Sequence, residues 1–420
     1  MVDVPGGADQ DILHGFHPTT GLVSPIGRGR REAPLGITRY SGELLATALL
    51  VLIAGSLVYC ALTVIAAARY MAVVPPKLGP KSGPLPPVSI LKPLSGDDLG
   101  LEENLRSFFE QDYPDFEILF AVRHPNDSAV AVLERVRARY PGIASRLIVT
   151  GEAPYPNAKV FSLDHMLAAA RHDLLVMADS DVRVTPALLI TLAAEFQNER
   201  TGVITCPYRA VPGASPWSTL EALSLNTEFL AGVLVARWLE GMRFALGPTI
   251  AARRDALIHL GGFDTLQQYL AEDFVMGKLA AEAGWHVVLS SYVIEHRIGS
   301  QPLGANLRHR LRWNRSTRRS RPWGYLGQVF TNPLPLALLL MAVEPSWWPL
   351  AVFTAVLRAA AVWATAGRVL CDPLTGRLWW LVPLADIASF LLWLAAFFGN
   401  TIVWRGRKYL LLRDGRFRRI

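Results

Sequence analysis

Between Leu44 and Ala68 the chain runs for 25 residues without a charge, "LLATALLVLIAGSLVYCALTVIAAA". At about 1.5 Å of rise per residue, a helix of that length crosses about 30 Å of hydrocarbon. A helix in a soluble core would seldom be apolar around its whole circumference. The run is also too long, and too far from the first residue, for a cleavable signal peptide. The pattern therefore predicts a transmembrane helix over 43–70, and the rest of the chain has to fold around that anchor.

Three more apolar segments follow late in the sequence, at 325–343, 347–366 and 378–399. Asn332, Pro333 and Pro335 interrupt the first, which favours a re-entrant segment and leaves two or three spans within 325–404. Only 18% of all residues are charged, below the roughly 25% usual in soluble domains. That apolar excess sits at the two ends, so a soluble middle is expected between membrane segments. The net charge of +7 is concentrated in "RWNRSTRRSRPW" (312–323) and "RGRKYLLLRDGRFRR" (405–419). Because both runs flank hydrophobic segments, anionic lipid headgroups are the expected partner and nucleic acid is not. Basic residues mark cytoplasmic ends, so the 405–420 tail and the catalytic domain are expected on the cytoplasmic side, with an even number of crossings between them. Arg28, Arg30, Arg31 and Arg39 weaken that rule by placing positive charge on the other flank of the first helix. Arg358 and Asp386 fall inside predicted spans, where they either pair with each other or serve a function. Three scattered cysteines, Cys60, Cys206 and Cys371, suggest neither a disulfide framework nor a zinc site.

Residues 1–40, rich in Gly, Pro and Arg, read as a disordered tail, and six prolines make 75–87 a stiff spacer. From 88 to 305 the pattern changes. "VSILKPL" (88–94), "FEILFAV" (116–122), "SRLIVTG" (145–151) and "DLLVMAD" (173–179) read as strands, with amphipathic helical stretches between them. Such alternation predicts an α/β domain with a parallel sheet and a ligand at the carboxyl ends of its strands. A basic amphipathic stretch, 306–324, closes the domain and reads as a membrane-surface segment.

Polar residues cluster where those strands end. "LLVMADSDVRV" puts Asp179 and Asp181 at the end of an apolar strand. Carboxylates at i and i+2 can share a Mg²⁺ or Mn²⁺ ion with a diphosphate. Spacing alone decides nothing, since Asp9 and Asp11 repeat it in the tail. Asp127 follows a strand and either caps the next helix or serves a ligand. Asn157 and Lys159 open another helix, with Lys159 either solvated or facing phosphates. Glu272 and Asp273 begin a third, where they either complement its dipole or supply a general base at Asp273. His309, Arg312 and Trp313 lie within about one helical turn and can clamp a leaving diphosphate or pack on a substrate. The apolar stretch 238–250 belongs either to the core or to an acceptor mouth.

In order along the chain, "VSILKPLSGDD", "PNAKV", "MADSDVRV", "GGFD…YLAEDFVMGK…AGWHV", "HRLRW" and "VWRGRKYLL" resemble the motifs of the membrane-bound ceramide glucosyltransferases. The resemblance runs from about Pro87 into the C-terminal spans. It implies a nucleotide-diphospho-sugar transferase A-type (Rossmann-like) α/β domain flanked by transmembrane helices, and an inverting, metal-dependent transfer to a lipid hydroxyl. Asp127 would then bind uridine, with Lys159 near the donor. Asp179 and Asp181 would hold the diphosphate through the metal, and Asp273 would take the acceptor proton. Arg312 and Trp313 would close on the diphosphate and acceptor, with Asn157, Glu272 and His309 as further contacts. The sequence departs from the family at His309, where Gln or Arg is usual, and at His124, near which another acid is common. Its full D-S-D is more complete than the D-S-G of animal members. UDP-glucose and ceramide are the expected substrates in a bacterial inner membrane. UDP-N-acetylglucosamine with a hopanoid is the alternative, ahead of a processive polysaccharide synthase or an inactive scaffold.

Overall fold

The computed structural model describes residues 35–74, 84–404 and 406–420. Most of the expected tail (1–40) and most of the Pro-rich spacer therefore lie outside the described residues. The chain divides into a small unit up to Leu44 and a body from Leu45 to Ile420, and the body holds every strand. Helix α1 (Leu35–Met71) starts earlier than the run of 43–70 and inside the segment expected to be disordered. No proline interrupts it.

The middle builds in order β1 (Val88–Pro93), α2 (Leu101–Phe109), β2 (Phe116–Val122), α3 (Ser128–Arg139), β3 (Ala144–Val149), α4 (Ala158–Ala169) and β4 (Leu174–Ala178). There follow β5 (Val182–Arg183), α5 (Leu188–Glu195), β6 (Thr201–Thr205), β7 (Tyr208–Val211), α6 (Pro216–Ser224) and α7 (Leu230–Glu240). Then come β8 (Thr249–Arg253), α8 (Arg254–His259), α9 (Glu272–Glu282), β9 (His286–Leu289), β10 (Ile294–Arg297) and α10 (Leu303–Ser320). Seven strands form one sheet in the order β3-β2-β1-β4-β8-β6-β9. Strands β1 to β4 are parallel, whereas β8 runs against both its neighbours. The central strands are buried on both faces, which is why β2 and β4 read as continuous apolar runs. The order reverses between β1 and β4, the kind of switch point where such sheets open a ligand crevice. A second sheet, β5-β10-β7, stands next to that crevice.

Beyond the α/β domain lie α11 (Pro322–Gly327), α12 (Pro333–Val343), α13 (Trp348–Val362), α14 (Pro373–Leu378) and α15 (Val382–Ala395). Helical stretches Gly42–Met71, Pro345–Val369 and Pro373–Ala395 are long and apolar enough to cross a membrane. Pro322–Thr331 and Pro333–Val343 meet at 62°, at the Asn332–Pro333 break, as a broken span or a re-entrant loop. Pro216–Glu240 also meets the length and composition test, although 67% of its apolar window is buried within the protein. It joins α6 to α7 through a π-helical stretch, Leu225–Phe229. Arg358 and Asp386 pair with each other in a fork, at 2.7 and 2.9 Å, with Thr227 3.3 Å from the guanidinium.

Two basic regions differ from their expected form. Segment 405–420 is not a loose tail. Strands β11 (Thr401–Trp404), β12 (Arg407–Leu411) and β13 (Phe417–Arg419) make an antiparallel sheet around Ile402, Tyr409, Leu411 and Phe417. Leu270 of the α/β domain joins that small core, Tyr269 bridges to Arg416, and the Phe417 N–H donates to the Gln268 carbonyl. Helix α10, for its part, turns two of its arginines onto the chain that follows α15. Arg315 donates to the carbonyls of Phe398 and Thr401, and Arg318 to Gly399, just beyond the C-terminus of α15. Cations there satisfy carbonyls that a helix end leaves unpaired.

Candidate active site

The first polar residues of the crevice come from the ends of β1 and β4. Lys92, within β1, is fully buried. Its ammonium lies 3.8 Å from the centre of the Phe108 ring and donates to the Asp179 carbonyl at 2.7 Å. Burial pushes its pKa down to about 7, against the pull of Asp179, Asp181 and Asp98. The turn after β4 is thus fixed from below by a lysine. Ser180 within it donates to Asp98 at 2.6 Å, and its carbonyl accepts from Asn104.

Asn157 caps α4, accepting from the N–H groups of Lys159 and Val160, while its amide donates to the Tyr269 carbonyl and to Glu272. That leaves Lys159, in the first turn, reaching across the crevice. Its Nζ lies 2.6 Å from Asp179 Oδ1 and 3.3 Å from Glu272 Oε1. Burial opposes the charge, but Asp179 and Glu272 outweigh it and hold the ammonium protonated. Asp179 is itself raised, mainly by burial, with Lys159 pulling the other way.

Asp273 follows Glu272 in the first turn of α9 and lines the same small cavity with Lys159, Gly247 and Met276. Burial, and then the neighbouring Glu272, raise its carboxyl to about 7. It rests on Gly247, where an added Cβ would meet Asp273 Oδ2 at 2.8 Å. Further along α9, a Cβ at Gly277 would collide with the backbone of Phe244 and Ala245. These two glycines let α9 approach the 238–250 stretch closely, so most of that stretch serves the core while Gly247 borders the site.

Asp181 turns toward the second sheet. Strand β10 pairs His296 with Val182, which sets His296 Nε2 3.2 Å from Asp181 Oδ2. Despite the cost of burial, His296 holds Asp181 below the usual carboxylate range, and Asp181 in turn raises His296. Asp181 Oδ1 and His296 Nδ1 are buried without a protein partner. The hard carboxylate oxygen of Asp181 suits Mg²⁺ or Mn²⁺. Among the described residues no three His, Cys, Asp or Glu side chains converge on one point. The donor set therefore fits an ion that takes its remaining ligands from a diphosphate and water, with Asp179 occupied by Lys159.

The other expected residues stand on neighbouring elements. Asp127 caps α3 at 3.0 Å and accepts from the Gly96 N–H at 2.9 Å, tying the loops that follow β1 and β2. His309 contacts the buried Glu221 of α6 at 3.1 Å and packs against Trp313, ring centres 4.6 Å apart. Arg312 lies over the Trp404 ring of β11 at 5.8 Å. Asn157, Lys159, Asp179, Glu272 and Asp273 thus form one continuous group and Asp181 adjoins it through its turn, whereas in α10 Arg312 stands against the C-terminal sheet and His309 against α6. Lys92 and His296 escape a reading of sequence alone. A lysine inside "VSILKP" and a histidine inside "VIEHRI" were the available signals.

The sequence profile of glycosyl transferase family 21 matches residues 48–417. The chain belongs to that family. Ceramide glucosyltransferase 1 of Caenorhabditis elegans is 28% identical over 210 residues, 50% of this chain and 45% of the nematode protein. Ceramide glucosyltransferase 3 of the same organism is 24% identical over 348 residues, 79% of this chain and 74% of its own. The chain thus aligns with less than half of one curated relative and about three quarters of the other. Among solved structures, the Pyrobaculum calidifontis mannosyltransferase PcManGT, in complex with GDP-Man and Mn²⁺, superposes with a TM-score of 0.51 at 18% identity, covering 83% of this chain and 99% of its own. Family 21 membership and this likeness place the α/β domain in the nucleotide-diphospho-sugar transferase A-type fold expected from the motifs.

Proposed function

We propose that the protein transfers glucose from UDP-glucose to the primary hydroxyl of ceramide, with inversion at the anomeric carbon. The observation that carries this reading is Asp273, a carboxyl raised to about 7 beside Lys159, Asp179 and Glu272, at the crevice by the carboxyl ends of β1 and β4. A base whose pKa lies near the working pH combines a useful deprotonated fraction with a strong pull on a proton. Asp273 takes the proton of the acceptor hydroxyl as that oxygen bonds to the anomeric carbon and the bond to the diphosphate breaks. One base suffices, and UDP departs without a covalent intermediate. The curated relatives named as ceramide glucosyltransferases support the acceptor and the sugar. The GDP-Man and Mn²⁺ bound to the structural neighbour support a nucleotide-sugar donor with a metal. Asp181, oriented by His296, would hold that metal, which neutralises charge on the diphosphate. Lys159 keeps Asp179 in place at the donor end, Asp127 stands where the loops after β1 and β2 meet, and Arg312 and Trp313 close on the diphosphate and the acceptor.

A lipid acceptor requires the crevice to stay at the membrane face. Support for a single side comes from the C-terminal sheet, whose Arg416 and Phe417 pair with Tyr269 and Gln268. Segments before 322 and after 400 then share one side, so the chain between them crosses an even number of times. Two straight spans with a re-entrant 322–343 meet that condition, with the catalytic domain in the cytoplasm, where nucleotide sugars are found. The test is transfer by purified protein in detergent with Mg²⁺, offering UDP-glucose and UDP-N-acetylglucosamine against ceramide and bacteriohopanetetrol. Glucosylceramide is the expected product. A hopanoid product would keep the chemistry and replace both substrates, and absence of UDP binding would overturn the reading.

A further inference from the structure

Away from the crevice, a cleft of about 500 Å³ opens between the end of α1, the end of α7 and the edge strand β9. Arg69, Arg237, Trp238 and Met242 line it, with Val287 to Leu289 of the edge strand as its floor. The two helices exchange cation–π contacts across it. Arg69 of α1 lies 4.9 Å from the Trp238 ring of α7, and Arg237 of α7 lies 5.5 Å from the Tyr70 ring of α1. Tyr70 is anchored in turn, donating to the Ser290 carbonyl at 2.5 Å. The aromatic faces orient both guanidiniums without using their N–H groups. Among the described residues no carboxylate pairs with either arginine, whereas Arg321, farther along the chain, has Glu240.

The position of the cleft narrows its ligand. Arg69 lies in the last turn of a helix long and apolar enough to cross a membrane. Met71, Val73, Val74 and Leu239 are exposed beside it. Two oriented cations with an apolar rim at a helix's membrane end match a phosphate group attached to acyl chains. The acceptor we propose for the catalytic site carries no phosphate, so this would be a different lipid. We propose that Arg69 and Arg237 form a binding site for the phosphate headgroup of an anionic phospholipid, separate from the catalytic crevice. Bound there, the lipid would tie α1 to α7 and the edge of the sheet, and so fix the height of the domain above the bilayer. The inference depends on α1 lying in a membrane and not on which sugar or acceptor is used.

The test uses the full chain reconstituted with phosphatidylcholine containing phosphatidylglycerol, then extracted in mild detergent. The lipid that stays bound is measured by mass spectrometry of the intact complex. Phosphatidylglycerol should be retained in preference to phosphatidylcholine. A surface cation contributes about fivefold to such binding, so R69Q/R237Q should retain phosphatidylglycerol roughly 25-fold less well. UDP affinity should stay unchanged, which also shows that the variant is folded. R69K/R237K, with charge but without the planar fork, should fall between the two. Equal retention by R69Q/R237Q and the natural chain would overturn the proposal. So would displacement of the lipid by millimolar inorganic phosphate, which would make the ligand a soluble anion.

Discussion

Arg358 with Asp386, between α13 and α15, and Lys159 with its carboxylates, at the end of β4, are both buried groupings of opposite charge. In the first, one cation meets one anion in a two-pronged fork, with Thr227 beside it. In the second, one ammonium meets Asp179 and Glu272, with Asp273 close by and Asp181 leaving one oxygen without a protein partner. Sequence spacing does not separate the two, because each places charge within an apolar stretch. Their completeness does. A closed pair has nothing left to offer a ligand, whereas an excess of carboxylates around one lysine leaves a raised carboxyl and an unpaired oxygen in reserve.

The contrast can be broken in several ways, and the largest effect belongs to the reserve. Asp273→Asn should lower kcat by about 10²–10⁴-fold while leaving the calorimetric UDP affinity unchanged, since it removes only the base. In the natural enzyme, kcat/KM should rise about tenfold per pH unit up to about 7 and then level off, as the raised carboxyl gives up its proton. Stability runs the other way. The folded state keeps this proton up to about 7, whereas the unfolded chain loses it near 4, so the group's contribution to stability falls as pH rises through that window.

The closed pair should respond as a structural unit. Arg358→Met should cost about 3–5 kcal/mol in denaturant unfolding, because it strands Asp386. The double change with Asp386→Leu should recover most of that loss, and activity per folded molecule should hold in both. Asp181→Asn and His296→Ala should each weaken metal-dependent UDP binding by about 10–100-fold, the usual effect of losing a ligand's partner. An undiminished metal dependence in both would move the metal elsewhere. The smallest effect is expected at Trp404→Leu, which removes a contact of about 0.5–1 kcal/mol under Arg312 and should raise the donor KM about two- to fivefold.

Much of this site is legible in the sequence because the strands that carry it alternate with helices, and each ends at a polar residue. Asp179 and Asp181 fall at such a strand end and Lys159 and Asp273 at helix starts, whereas it is the family resemblance that singles them out as a set. Lys92 escapes notice because a lysine in an apolar strand reads as an edge residue until its neighbours are known. His296 escapes because only pairing across β5 and β10 brings it to Asp181. The arginines of 308–321 read as a membrane surface, yet Arg315 and Arg318 face the carbonyls beyond α15, a role that depends on chain folding back from about 80 residues away. The C-terminal strands were hidden by charge. Their alternation is present in "TIVW" and "KYLLL", but the surrounding arginines suggest a solvated tail.

The grip of that last sheet on the loop before Asp273 bears on how the enzyme comes to be active. Phe417 and Gln268 are joined by a hydrogen bond, and the C-terminal membrane region lies between them in sequence. Contacts between residues so distant form late in folding, because the intervening chain must be ordered first. Here that chain has to enter and leave the bilayer before β13 can reach the loop. A molecule whose membrane segments inserted wrongly would lack the clasp beside the proposed base, and would also lose Ala364, Val369 and Leu370 from the domain's main core. Correct insertion would thereby act as a checkpoint on activity, sparing the cell a transferase adrift from its lipid.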